Sequence, residues 1–270
     1  MQRVPFIVCE LVSSGRSSLR AHHCRTLPRR AVTYTADAAR KMKRHHAIES
    51  QQVDAPLIRY ATFLVVTVHE NANATKTAHS TLANVTQVIK NVAIRDRESQ
   101  LTCTVGIGSN AWDRLTGIPR PAELHSFQEV AGRKHTAIST PGDIFFHIRA
   151  EVKDLCFECE RQLMDLLGGA VRVVDETNGF RYFDTRDLLG FVDGTANPVG
   201  SAAIPESTVV DQAQDAQATG GSYIMVQKYV HDLAAWRALS VEEQERIIGR
   251  TRLDNIELDD AESGQRSHKT

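Results

Sequence analysis

Between Leu57 and Phe183 the apolar residues change period in a fixed order, and that order restricts the chain to few folds. Tyr60–Val68 is almost continuously apolar or β-branched, the pattern of a buried strand. Ala78, Leu82, Val85, Ile89 and Val92 then recur at steps of three and four, which lines one face of a helix. Leu101, Cys103, Val105 and Ile107 alternate with threonines, as strand residues do. After a long loop carrying Trp112, Pro119 and Pro121, Ile144–Arg149 supplies another strand, and Leu155, Cys159, Leu163 and Leu166 mark a second helix. Val171–Val174 and Gly179–Phe183 return to strand character. The series is β-α-β-β-α-β, so residues 57–187 are expected to form a ferredoxin-like half of an α+β chain.

A loop over residues 188–221 separates this half from a second series. Ser222–Val230 reads as a strand, and Ser240-Val-Glu-Glu243 is a capping box that starts a helix running toward Gly249. The remainder, Leu253–Thr270, is acidic and polar. No later strand offers to pair with Ser222–Val230 or to cover its apolar face, and one strand with one helix buries too little surface to stand alone. The expectation is an incomplete second ferredoxin-like half over residues 222–270, in a chain that is cut short.

Charge excludes several partners. The 32 Lys+Arg and 33 Asp+Glu almost cancel, which argues against nucleic acid as a ligand. The longest apolar run, within Ala61–Val68, is strand-sized, which argues against a membrane span. Five scattered cysteines do not make a disulfide scaffold and point to a reducing compartment. Residues 1–56 differ from the rest: ten Arg and Lys residues face only Glu10 and Asp37 within the first 45, with serines at 13, 14, 17 and 18. This basic leader is either disordered or a transit segment, so the location is cytoplasmic or, alternatively, an organelle reached by import into a mitochondrion or plastid.

Most chemically suggestive residues have an ordinary explanation. Cys156-Phe-Glu-Cys159 lacks a second ligand pair for zinc and falls on the apolar face of the second helix, as packed thiols would. Val105-Gly-Ile-Gly108 lacks the third glycine of a dinucleotide fingerprint and no helix is expected directly after it, so it reads as a strand end. His147 sits on a strand as a partly buried histidine, and the carboxylates around Asp259 form a solvated run. More informative is Asp187-Leu-Leu-Gly190-Phe-Val-Asp193-Gly194-Thr195-Ala-Asn197-Pro198. Asp-Gly and Asn-Pro announce turns, so this stretch can be a connector. It can also be a site: Asp193 lies between apolar Phe191-Val192 and a glycine that permits close approach of a ligand, a setting for an acid-base carboxylate.

That stretch resembles the signature of the dye-decolourising peroxidases, whose G-x-x-D-G core places an aspartate above a haem plane. NGFRYFDTRDLLGFVDGT before it and GGSYIMVQKYVHDLAAWRALSVEEQERIIGRT after it resemble the cytoplasmic branch of the same family, and the likeness covers roughly Leu57 to Thr270. The resemblance implies two ferredoxin-like halves packed by their sheets, haem b as cofactor, hydrogen peroxide and small organic electron donors such as dyes as substrates, and leaves self-association into a homo-oligomer open. It makes Asp193 the catalytic proton carrier and His268, after the acidic loop, the axial ligand of the haem iron. Gly194, Thr195 and Asn197 would line the haem edge, and Arg250 would pair with a propionate. The family takes its distal arginine, and the carboxylate that orients the axial histidine, from sequence beyond residue 270. Alternative readings are therefore a haem-binding or haem-delivery protein with little turnover, or an inactive truncated fragment.

Overall fold

The computed structural model describes residues 50–133, 135–183 and 185–259 in full and residues 7–13 through their backbone. It is a mixed α/β fold with antiparallel sheet at its centre. Strands β1 (Ile7–Ser13) and β2 (Tyr60–Val68) are followed by helix α1 (Ala72–Ala93), β3 (Thr102–Ile107), α2 (Ser109–Thr116), and the short β4 (Val130–Ala131) and β5 (Thr136–Thr140). Then come β6 (Ile144–Ala150), α3 (Lys153–Leu167), β7 (Val171–Phe180), α4 (Ala203–Thr208), β8 (Ser222–Lys228), α5 (Leu233–Ala238) and α6 (Val241–Ile248).

The centre of the sheet runs β3–β6–β2–β7, each neighbour antiparallel to the next. Alternation decides its two faces. Thr62, Leu64, Val66, Phe146 and Ile148 turn toward α1 and α3 and are fully buried there. Helix α1 begins where the Asn71 side chain accepts the Ala74 amide at 2.8 Å, and it buries Ala74, Ala78, Val85, Val88 and Val92 as a single stripe. Leu155, Cys156, Cys159, Leu163 and Leu167 form the matching stripe of α3, which packs against α1. Truncating Leu163 to Ala in this core would cost about 2–5 kcal/mol. A buried clasp fixes one end of the sheet: Asp143 Oδ2 accepts the Val68 amide at 2.8 Å and an Arg114 nitrogen at 2.7 Å.

Several sequence expectations are corrected. Trp112 lies on α2 rather than in a loop, and this helix opens directly after Gly108, because Ser109, Ala111, Trp112 and Leu115 form its buried face. Gly108 itself is required by the close passage of Gly142, whose carbonyl oxygen would lie 2.3 Å from a Cβ there. The strand character split between Val171–Val174 and Gly179–Phe183 belongs to one strand, β7, which pairs with β2 across an irregularity at Val65/Val66 and ends at Phe180, short of the expected Phe183.

The leader boundary also moves. Residues 50–56 are fastened to the sheet: the Gln51 amide exchanges two hydrogen bonds with the backbone of Val105, at 2.8 and 3.0 Å, and buried Arg149 donates to the carbonyls of Gln52 and Ala55. Further upstream, Ile7–Ser13 is a strand within the expected leader, parallel to β8 from Ile7↔Ser222 to Ser13↔Lys228 and antiparallel to β5. Strand β8 thus has a partner, contrary to the expectation of an unpaired strand. Its apolar face is partly covered as well, since the half-buried Ile224 and Val226 pack toward Phe63, Val65 and Phe145 on the sheet face opposite the helices, and Lys228 pairs with Asp175 at 2.9 Å.

Candidate active site

The Asp187–Asn197 segment is shaped by one carboxylate. Asp187 Oδ1 accepts the amides of Leu189 at 3.0 Å and Phe191 at 3.1 Å, while the Asp187 backbone bonds Gly190 and Phe191. So tight a turn needs a left-handed residue at its apex, and Gly190 sits there with φ +91°. Phe191 is driven inward and meets Trp236 of α5 edge to face at 6.1 Å; the indole N–H donates to the Leu189 carbonyl at 3.0 Å. With Phe191 anchored, Asp193 two residues on emerges at the surface.

Asp193 is held by its backbone and leaves its carboxylate largely free. Its N–H donates to the Thr185 carbonyl at 3.0 Å, and its Oδ1 accepts the Gly194 amide at 2.8 Å. Among the described residues Oδ2 takes no hydrogen bond. Gly194, at φ +69°, turns the chain back so that the Asn197 amide reaches the Gly194 carbonyl at 3.1 Å; a Cβ on Gly194 would lie 2.8 Å from Asn197 Nδ2. Gly194, Thr195 and Asn197 are all exposed beside Asp193, so the structure brings these four expected site residues onto one loop.

Arg250, expected to pair with a propionate, makes its contacts within its own loop. Its Nε donates to Asn255 Oδ1 at 2.7 Å, Nη2 donates to the Asn255 carbonyl at 2.9 Å, and Nη1 stands 3.5 Å from Glu257. These bonds clasp a narrow hairpin over residues 249–258, in which Thr251 accepts Asn255 and donates to Ile256, and Leu258 donates to Gly249. The guanidinium is therefore committed to its own loop, and only the Glu257 side is open to exchange for another carboxylate. His268 lies outside the described residues.

Sequence reasoning missed the residues that buttress the loop. Arg252 donates its amide to Glu245 Oε1 at 2.7 Å and an Nη1 proton to the buried Gln244 Oε1 at 3.0 Å. Its guanidinium lies where a side chain on Gly190 would have to go, with Nη2 2.7 Å from the position of a Cβ. Gln244 returns its amide to the carbonyls of Trp236 and Leu239 at 2.9 and 3.3 Å, tying α6 to α5. The Ser240–Glu243 capping box is present in both directions, as the sequence indicates.

Other titratable groups belong elsewhere. Burial pushes the thiols of Cys156 and Cys159 up to about 11 and about 12, and desolvation likewise raises that of the half-buried Cys103, which favours the protonated thiol over the nucleophilic thiolate. His147 stacks on Phe63 at 4.5 Å, and burial, with nearby Arg149, lowers its pKa to about 4. It lines an open cleft of about 930 Å³ between the sheet and β8, to which the Asp193 loop contributes nothing. Among the described residues no His, Cys, Asp and Glu side chains gather in threes to hold a metal, and no helix is long and apolar enough to cross a membrane.

Comparison with known proteins bears on both parts of the molecule. Residues 50–181 match the family model of the Dyp-type peroxidase N-terminal domain, and residues 184–270 match the C-terminal one. The dye-decolorizing peroxidase of Mycobacterium tuberculosis is 51% identical over 222 residues, covering 82% of this chain and 65% of that protein. Curated relatives near this level of identity are longer, and the chain spans 58–65% of the length of four of them. Among solved structures, the encapsulated DyP-type peroxidase of Mycobacterium smegmatis is similar with a TM-score of 0.73 at 46% identity, over 82% of this chain and 70% of that one. A haem complex of a DypB variant from Rhodococcus jostii gives 0.73 at 47% identity, over 78% of this chain and 68% of that one. Together the two domain matches span the Asp193 loop, both buttressing helices and the sheet, and the chain belongs to the dye-decolorizing peroxidase family.

Proposed function

We propose that this chain carries the haem-binding and proton-transferring part of a peroxidase that reduces hydrogen peroxide and oxidises small organic donors such as dyes. The observation that carries the reading is the Asp193 carboxylate, exposed on a loop rigid on its inner side, with one oxygen fixed by Gly194 N–H and the other unengaged among the described residues. The surroundings fit a large apolar disc with acidic edges. Leu188, Val199, Leu253 and Ile256, from the loop and the neighbouring hairpin, are exposed apolar side chains, and Gly194 adds no side chain of its own beside Asp193.

On this reading Gly194, Thr195 and Asn197 would hold the edge of the haem, His268 would supply a nitrogen ligand to its iron, and Arg250 would take a propionate in place of Glu257. Haem, when bound, supplies a redox-active iron. The protein's own step is proton movement: Asp193 takes a proton from one oxygen of hydrogen peroxide and returns it to the other, which leaves as water. A positioned acid-base group of this kind contributes ~10²–10⁴ in rate. The β3–β6–β2–β7 sheet with α1 and α3 is, on the same reading, a complete ferredoxin-like half, and β8 with α5 and α6 opens a second one. Matches to proteins named as peroxidases support this over a delivery role or an inert fragment.

Titration of the haem-free chain with haemin, followed at the Soret band, tests the proposal. Saturable one-to-one binding that His268→Ala weakens is expected. Binding indifferent to that substitution, or no binding, would count against it.

A further inference from the structure

We propose that Arg186 is a positioning residue that locks the Asp193 loop and the 249–258 hairpin into one unit, so that the two segments approaching the haem site from separate parts of the sequence move together. The inference rests on the peroxidase reading above for its purpose, and on the geometry alone for its existence.

Arg186 Nη1 donates to the Gly190 carbonyl at 2.9 Å and to the Arg252 carbonyl at 2.6 Å, and Nη2 donates to the Leu253 carbonyl at 3.1 Å. One planar, permanently charged fork therefore bonds the apex of the Asp187 turn and two consecutive carbonyls of the hairpin. Its own backbone is anchored on the near side, where its N–H donates to the Phe183 carbonyl at 2.8 Å and the residue bridges to Val192, next to Asp193. From the far side, Arg252 reaches back over Gly190 and continues into Gln244 of α6. The two arginines thus cross the same gap in opposite directions, one through carbonyls and one through the space left by a missing Cβ. A lysine at residue 186 would present one nitrogen to three acceptors that lie on two different strands of chain, and could satisfy only part of the set.

The test is hydrogen exchange on the haem-free chain, comparing wild type with Arg186→Ala, Arg186→Lys and the control Arg161→Ala on the outer face of α3. Losing these charged hydrogen bonds should speed exchange by about tenfold or more in both 186–194 and 249–258, with the sheet peptide Tyr60–Val68 unchanged. Arg186→Lys should fall between wild type and alanine in both segments, and Arg161→Ala should change neither. Loosening confined to 186–194, with 249–258 at its wild-type rate, overturns the proposal. If the alanine variant loses protection across Tyr60–Val68 and so fails to fold, the lysine variant is judged by the same criterion. At matched haem occupancy, Arg186→Ala should also slow peroxide consumption by about tenfold or more while leaving the KM for a dye unchanged, with partial rescue by lysine. An unaltered peroxide rate would show that the loop needs no such lock. Failure of wild type to bind haemin would defeat the peroxidase reading and leave the exchange result standing.

Discussion

Replacing Asp143 should destabilise the protein by an amount that can be built from its bonds. Asp143 is 7% exposed and its carboxylate accepts two hydrogen bonds on Oδ2, from the Val68 amide at 2.8 Å and from Arg114 at 2.7 Å. Asp143→Ala strands the Val68 amide, on a residue 3% exposed, at a cost of about 1–3 kcal/mol for a buried unpaired donor. It also removes a charge-assisted bond to Arg114, worth about 1.5–3 kcal/mol where buried. Arg114 keeps the Val68 carbonyl at 3.0 Å and is 27% exposed in its side chain, so water recovers part of the second loss. The sum is about 3 kcal/mol. Asp143→Asn retains an acceptor for the amide and loses only the charge, about 1–2 kcal/mol. Urea unfolding at constant m-value measures both, and a double-mutant cycle with Arg114→Ala isolates the pair. A loss under about 1 kcal/mol for alanine, or equal losses for alanine and asparagine, would show that the clasp does not hold this end of the sheet as described.

Two further outcomes follow from the sheet. Because His147 is held near a pKa of about 4 against 6.5 for a free imidazole, the unfolded chain binds more protons between those values, so the stability conferred by the neutral ring is complete above about pH 6.5 and is lost as pH falls toward 4. Thermal unfolding over that window should show wild type losing on the order of 2–3 kcal/mol more than His147→Phe, whereas parallel pH profiles would mean the ring is protonated freely in the fold. Removing residues 1–13 should raise exchange across Ser222–Lys228 while sparing Tyr60–Val68, because β1 pairs along all of β8; unchanged protection of Ser222–Lys228 would show that β1 contributes nothing to it.

The central half was legible because each element there has a long uniform period. Tyr60–Val68 is read to the residue, and the stripes of α1 and α3 name most of the side chains packed between helices and sheet, although Leu82 and Ile89 are only half-buried and Leu166 is exposed, its expected place in the core taken by Leu167. Where periods are short the sequence is silent. Helix α2 has only eight residues, and its Trp112 sits among prolines and glycines that suggest a loop. Strand β1 escaped notice because pairing by main-chain hydrogen bonds needs no apolar alternation, and its arginine-rich surroundings mask it. At the site, Asp193 and the residues beside it were readable from turn chemistry and family likeness. Arg186, Arg252 and Gln244 were not: Arg186 bonds backbone carbonyls, Arg252 lies in a glycine's empty side and reaches Gln244, and none of these partnerships leaves a recognisable spacing in the sequence.

If the Asp193 carboxylate moves the peroxide proton, Asp193→Asn should abolish that step alone, because the amide keeps the size and the acceptor for Gly194 N–H. Wild-type and variant protein, loaded with haem to equal Soret absorbance, are mixed with hydrogen peroxide in a stopped-flow spectrometer across a range of pH. The variant should keep the resting spectrum and react more slowly by ~10²–10⁴, with the deficit persisting as pH rises. Equal rates for the two proteins at every pH would contradict that role and reduce Asp193 to a turn residue.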